Sequence, residues 1–299
     1  MQSRGGVGPP LADLALARSD LHRRGELRTE PDLLPRLLAD PATRVLAVAD
    51  GRAPVTEDGR LALRGPDPGD QVERAAYLGE DDTGTSYVAV RLDQPGEGWV
   101  TLRDVGDRLG DREAGLFAEA LALANWHSTH QRCPRCGAPT EPGQAGWTRV
   151  CTNDGSEHYP RTDPAVIMAV VDDDDRLLLG HGASWPAGRM STLAGFVEPG
   201  ESLEAAVRRE VDEEVGLRVG EVIYRGSQPW PFPASIMLGF RAQALTTDIR
   251  VDGVEVDGAR WFTRASMLEA IATGELVLSP SISIARRLIE DWFGGPITS

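Results

Sequence analysis

Residues 195–217 read GFVEPGESLEAAVRREVDEEVGL, and this stretch decides the reading of the whole chain. Ser202 suits a helix N-cap, and Ala205, Ala206 and Val207 favour helix. Gly216 suits the position just past a helix end. The pattern predicts a helix over about 203–215. On it Glu210, Glu213 and Glu214 stand at i, i+3 and i+4 and share one face. Leu203, Val207 and Val211 form a separate stripe suited to packing on a sheet.

Three carboxylates on one face repel, and each raises its neighbours' pKa unless positive charge sits among them. No lysine can supply it, because all 31 basic residues are arginine. Arg209 precedes the cluster and is better placed to pair with Glu201, pinning the loop to the helix. A hard divalent cation such as Mg²⁺ or Mn²⁺ is the simplest neutraliser, since it prefers carboxylate oxygens. A carboxylate–metal cluster can hold a diphosphate and activate a water to attack phosphorus. The bland alternative is a solvated acidic helix face.

The spacing decides against the bland reading. Gly195, Glu201, Arg209, Glu210, Val211, Glu213, Glu214, Gly216 and Leu217 fit the pattern G-x5-E-x7-R-E-U-x-E-E-x-G-U at every specified position. A chance match at a given start is roughly 10⁻⁹ or rarer at ordinary residue usage. On these residues the chain resembles the Nudix hydrolases.

The 299 residues allow two domains of ordinary size, and the net charge of −15 argues against general affinity for nucleic-acid backbones or anionic membranes. The absence of lysine excludes a P-loop lysine and Schiff-base chemistry. The N-terminus lacks the apolar core of a signal peptide, and nothing later reads as a membrane span, so the expectation is a cytoplasmic protein.

Taken in order, residues 1 to about 40 are rich in Pro, Arg and Leu and offer at most a short helix. Strand-like runs follow (RVLAVAD, RLALRG, SYVAVRL, GWVTLRD) and imply a small N-terminal α+β domain over 1–108. A connecting helix fits residues 111–130. The three cysteines, Cys133, Cys136 and Cys151, cluster as in a metal site rather than a disulfide framework. They give one CxxC knuckle and half of a second, separated by fourteen residues, with Asp154 where a fourth cysteine would complete a zinc ribbon. Asp154 or His158 is the candidate fourth Zn²⁺ ligand; the alternative is a ribbon without metal. These residues form a connecting segment over 109–160. From 161 to 299, a hairpin around AVIMAVVDDDDRLLLG, a strand near 191–194, two strands after the box helix, a short one at Arg260–Phe262 and helices near 264–273 and 282–293 imply an α/β/α sandwich around a mixed sheet.

Between two of those strands lies SQPWPFPAS, residues 227–235. Its three prolines stiffen an extended loop carrying Trp230 and Phe232, which suits stacking on a planar base or nicotinamide ring. Gln228 and Ser235 could add hydrogen bonds; simple loop packing is the alternative.

SQPWPFP so soon after the box, the ribbon before it, and Tyr159-Pro160 together resemble the NADH pyrophosphatases (NAD diphosphatases) of the Nudix superfamily. The resemblance is strong from Cys133 to about Trp292. It implies metal ligands at Glu210, Glu214, Glu255 and the backbone carbonyl of Ala194, with Glu213 as a further ligand or the base. It implies a dinucleotide site lined by Gln228, Pro229, Trp230, Pro231, Phe232, Pro233, Ala234 and Ser235, completed by Tyr159, Phe196 and Ala285. A substrate-contacting arginine of the N-terminal domain corresponds to Arg103. The implied reaction is metal-dependent hydrolysis of the NADH or NAD⁺ pyrophosphate to nicotinamide mononucleotide and AMP, by a homodimer, with removal of NAD caps from RNA as a second activity. Broad dinucleotide or nucleoside-diphosphate-sugar hydrolysis, and a binding domain on a retired scaffold, are the rivals. The intact box argues against the second of these.

Overall fold

The computed structural model describes residues 9–298 and divides the chain into two units. One comprises residues 163–228 and 236–299 together with the segment up to Ala15; the other comprises 16–162 and 229–235. Residues 9–15, read from sequence as part of the N-terminal domain, therefore fold with the first unit. Leu14 is buried in its core and Leu11 packs beside it.

The first unit is built on a six-stranded sheet. Its strands are β1 (Asp163–Val171), β2 (Leu177–Gly182), β3 (Leu193–Phe196), β4 (Val219–Trp230), β5 (Ser235–Ala244) and β6 (Val256–Phe262). The order is β4-β5-β1-β2-β6, with β3 antiparallel to the first half of β1. β1 explains the layering. Side chains alternate faces along a strand, so Val166, Met168 and Val170 point one way and Ile167, Ala169 and Val171 the other. Each face is apolar, and each is covered. Helix α1 (Leu203–Val215) buries Ala206, Val207, Val211 and Val215 against the first face. Helices α2 (Arg264–Ala272) and α3 (Ile284–Phe293) bury Met267, Ala270, Ile284, Leu288, Ile289 and Trp292 against the second. This is the α/β/α sandwich that the sequence implies. Burying each of these larger aliphatic side chains contributes about 1.5–3 kcal/mol.

The proline-rich stretch differs from its sequence reading. It is not one long loop: β4 continues through Trp230 and β5 begins at Ser235, leaving a tip of only four residues. Pro229 lies within β4, which is an edge strand, where a missing N–H is tolerated.

In the second unit, Arg44–Val48 runs parallel to Ser86–Arg91, which pairs antiparallel with Ala75–Glu80. A helix over Asp111–Thr129 and a small sheet of Thr140–Gly143, Thr148–Cys151 and Glu157–His158 complete it. Two predicted strands fail here. RLALRG forms only isolated bridges, Val55 to Leu61 and Val45 to Arg64. GWVTLRD keeps two strand residues and then turns into a helix over Leu102–Val105, because Thr101 and Asp104 form a capping box.

Candidate active site

Helix α1 starts and stops where its sequence dictates. The Ser202 hydroxyl accepts the Ala205 N–H at 3.2 Å, and Gly216 ends the helix at φ 67°, a left-handed conformation that favours glycine. Between these caps Glu210 and Glu214 face inward and are buried, while Glu213 is exposed.

Arg209 does more than the sequence suggested. It makes the expected fork with Glu201, at 2.5 and 3.2 Å, and also reaches into the cluster, with Glu210 at 2.8 Å and Glu213 at 2.9 Å. Its Nη2, one arm of the fork with Glu201, also donates to the Phe196 carbonyl at 2.9 Å, tying the helix to the end of β3. Glu201 also accepts the Glu198 N–H at 2.8 Å, which closes the loop on itself. Arg209 and the Glu198 N–H hold the Glu201 carboxyl below the usual range.

One arginine is shared among three carboxylates, and Glu214 receives none of it. Burial, then the charges of Glu210, Glu255, Asp252 and Glu213, push its pKa up to about 8, and its Oε2 is buried without a hydrogen-bond partner. Glu210 is also raised, by burial first, with Arg209 pulling the other way. A buried carboxylate oxygen facing further carboxylates is the donor set a hard divalent cation fits. Glu255 is exposed on the segment before β6, and its carbonyl accepts the Ala183 N–H at 3.0 Å. Ala194, in β3 opposite Ile167, sits one residue before Gly195.

Sequence reasoning missed Asp252. Its N–H donates to the Glu214 carbonyl at 3.1 Å, and its carboxylate accepts the Glu255 and Val256 N–H groups at 3.1 and 3.0 Å. It thus fixes the Glu255 backbone against the end of α1. An aspartate followed by Gly253 was a legible turn signal, but nothing in the spacing linked that turn to the box.

The aromatic tip has its own supports. The Trp230 and Phe232 rings lie 4.9 Å apart, edge to face, both half-buried. The Arg103 guanidinium lies 3.9 Å from the Phe232 ring centre and 4.8 Å from that of Trp230. The Asn125 amide donates to the carbonyls of Pro231 and Pro233, at 3.0 and 3.1 Å, bracing the tip from the 111–129 helix. Asn125 was also missed; its only trace in sequence is a weak helix former inside a strong helical run.

The other expected lining residues fall in different settings. Gln228 is fully buried and donates to the Ile282 carbonyl at 2.9 Å, with its amide oxygen unpartnered. Ser235 is nearly buried, and Ala285 is buried in the first turn of α3. Pro231 is buried, Ala234 half-buried, and Pro229 and Pro233 are exposed. Tyr159 and Phe196 are exposed, and the Tyr159 hydroxyl donates to Glu157 at 2.7 Å.

At the ribbon, one ligand atom from each of Cys133, Cys136, Cys151 and Asp154 lies within 4.8 Å of the others. The Arg135 and Asn153 N–H groups point at the Cys133 and Cys151 sulfurs at 3.4 Å. Such donors stabilise thiolates, so the donor set fits Zn²⁺. Among the described residues this grouping includes Asp154 and not His158.

Three stretches match described domains: residues 33–126 the NADH pyrophosphatase-like rudimentary NUDIX domain, 128–159 the NADH pyrophosphatase zinc ribbon domain, and 161–280 the NUDIX domain. The chain is 40% identical over 301 residues to a protein of Mycobacterium bovis named NAD-capped RNA hydrolase NudC, covering 93% of this chain and 94% of that one. A Mycobacterium tuberculosis protein of the same name matches to the same extent. A human protein named NAD-capped RNA hydrolase NUDT12 is 43% identical over 197 residues, covering 62% of this chain and 43% of that one.

Proposed function

We infer the reaction from what those matches establish: the chain belongs to the NADH pyrophosphatase family of Nudix hydrolases. On that footing the protein hydrolyses the pyrophosphate bond of NADH or NAD⁺, giving nicotinamide mononucleotide and AMP. Water adds to one phosphorus as the bridging oxygen leaves with the other phosphate. The observation that carries this reading is Glu214, buried, raised to about 8 and with one oxygen unpartnered, beside Glu210 on the box helix.

Glu210, Glu214 and Glu255, with the Ala194 carbonyl, would hold two or three Mg²⁺ or Mn²⁺ ions. When bound, such ions draw charge from the diphosphate oxygens and lower the pKa of a water. The chain's own residues do the rest. Arg209 holds Glu201, Glu210 and Glu213 in one arrangement. Glu213, exposed and held by Arg209 at its i−4 position, or Glu214 takes the proton from the attacking water. Trp230 and Phe232 offer π faces to a base or nicotinamide ring, with Arg103 stacked on both.

The relatives' names favour a second substrate, RNA carrying a 5′ NAD cap. The chemistry is the same and only the chain beyond the adenosine differs. Comparing kcat/KM for NADH, NAD⁺, ADP-ribose and a short NAD-capped RNA ranks the two. Preference for ADP-ribose over every nicotinamide-bearing substrate would overturn both in favour of a broad hydrolase. Zn²⁺ at the ribbon, a homodimer and a cytoplasmic location complete the proposal. Among the described residues no helix is long and apolar enough to cross a membrane.

A further inference from the structure

The second unit contains a cavity of about 300 Å³ that the proposed reaction does not use. Three arginines, Arg91, Arg132 and Arg149, line it together with His127, Thr140 and Glu73. In a chain of net charge −15, this concentration of positive charge stands out.

Arg149 is 6% exposed, yet no carboxylate pairs with it among the described residues. Its guanidinium is held by neutral acceptors only: the Thr140 hydroxyl at 2.7 Å, the Thr140 carbonyl at 2.5 Å and His127 Nδ1 at 3.0 Å. Those three bonds use three of its five N–H groups and leave two. His127 is the acceptor toward Arg149, so its Nε2–H donates to the Gly146 carbonyl at 2.8 Å and the ring is neutral. It therefore adds no charge. Among the described residues Arg91 has no carboxylate partner either, and its side chain donates to the Glu73 carbonyl at 3.5 Å. Burial, and the charges of Arg149 and Arg74, lower its pKa. Arg74 is itself paired with Asp93 at 2.7 Å, and Glu73 is exposed. Arg132 is exposed, and its side chain donates to the Gly137 carbonyl at 3.4 Å.

Buried cations without counter-ions are costly, and natural structures pair them. One buried guanidinium, Arg149, a half-buried one, Arg91, and the exposed Arg132 at the rim converge on one cavity, and no ion pair to any of them occurs among the described residues. We propose that this cavity binds a phosphate-class oxyanion, held by Arg91, Arg132 and the two remaining N–H groups of Arg149. Guanidinium forks match the oxygens of phosphate in pairs, and the volume admits a free phosphate or the phosphate end of a small metabolite.

The full chain is titrated calorimetrically, without added divalent cations and at fixed ionic strength, with inorganic phosphate in one arm and a nucleoside 5′-monophosphate in the other. Arg149→Met risks the fold, so Arg91→Gln and Arg132→Gln carry the test. The expected result is saturable binding in at least one arm, weakened at least tenfold by each substitution, with NADH turnover unchanged. Binding in the phosphate arm identifies the free anion, and binding in the second arm alone identifies a phosphorylated metabolite. No binding in either arm, or binding that survives both substitutions, overturns the proposal.

Discussion

The Glu210 carboxylate occupies the space that a side chain on Gly195 would need. A β-carbon built on Gly195 would lie 2.0 Å from the Glu210 carboxyl carbon and within 2.2 Å of both its oxygens. The first glycine of the box and Glu210, about two turns into its helix, are therefore one steric unit. Only a residue without a β-carbon lets α1 bring that carboxylate onto the end of β3.

Gly195→Ala should consequently move Glu210 while leaving the sheet intact. A displacement of about 1 Å at a reacting centre can cost about 10²-fold. The expected outcome is a fall in kcat of that order with a circular dichroism spectrum like the parent's. Turnover within twofold of the parent would show that Glu210 can shift without consequence.

Trp230→Ala should act on binding. Stacking on an aromatic ring is worth about 1–3 kcal/mol per base, so KM for NADH should rise by about 5- to 150-fold with a smaller change in kcat. Asn125→Ala, which frees the carbonyls of Pro231 and Pro233, should move KM in the same direction by less. Equal losses of kcat and kcat/KM in Trp230→Ala would mean that the ring acts only in the transition state.

Much of this was legible because the helix over Leu203–Val215 obeys local rules. Its caps, its apolar stripe and its carboxylate spacing all point the same way, and the observed bounds, Leu203–Val215, match the prediction. The N-terminal region was harder to read for physical reasons. AAYLGE (Ala75–Glu80) has no β-branched residue and becomes a strand through pairing with Ser86–Arg91. Thr101 and Asp104 carried a capping signal inside what looked like a strand. Asn125 and Asp252 matter through partners far away in sequence, which no local pattern encodes.

The ribbon should hold zinc through three thiolates and Asp154. Refolded protein is expected to retain roughly one equivalent, and Asp154→Cys should lose it to a chelator more slowly, because thiolate is the softer and stronger ligand. Zinc below about 0.2 equivalents in the parent, measured by elemental analysis, would leave a ribbon held by packing alone.

His127 makes stability depend on pH. Burial, and the charges of Arg91 and Arg149, lower its pKa to about 4. The folded state thus favours the neutral ring. The contribution is complete above the unfolded value near 6.5 and is lost as pH falls toward 4, by about 2 kcal/mol at pH 5 and about 3 kcal/mol at pH 4. Urea midpoints across pH 7.5 to 4 should show this loss, and His127→Gln should flatten it. An unchanged slope in the variant would assign the loss to other groups.

The most direct test of the account is product analysis of NADH hydrolysis with Mn²⁺ by the parent and by Glu214→Gln. The account predicts reduced nicotinamide mononucleotide and AMP in equal amounts from the parent. It predicts a folded variant slower by about 10²- to 10³-fold, the order lost when a charge-stabilising group is removed. Cleavage at the glycosidic bond instead, or near-parental turnover by the variant, would contradict it.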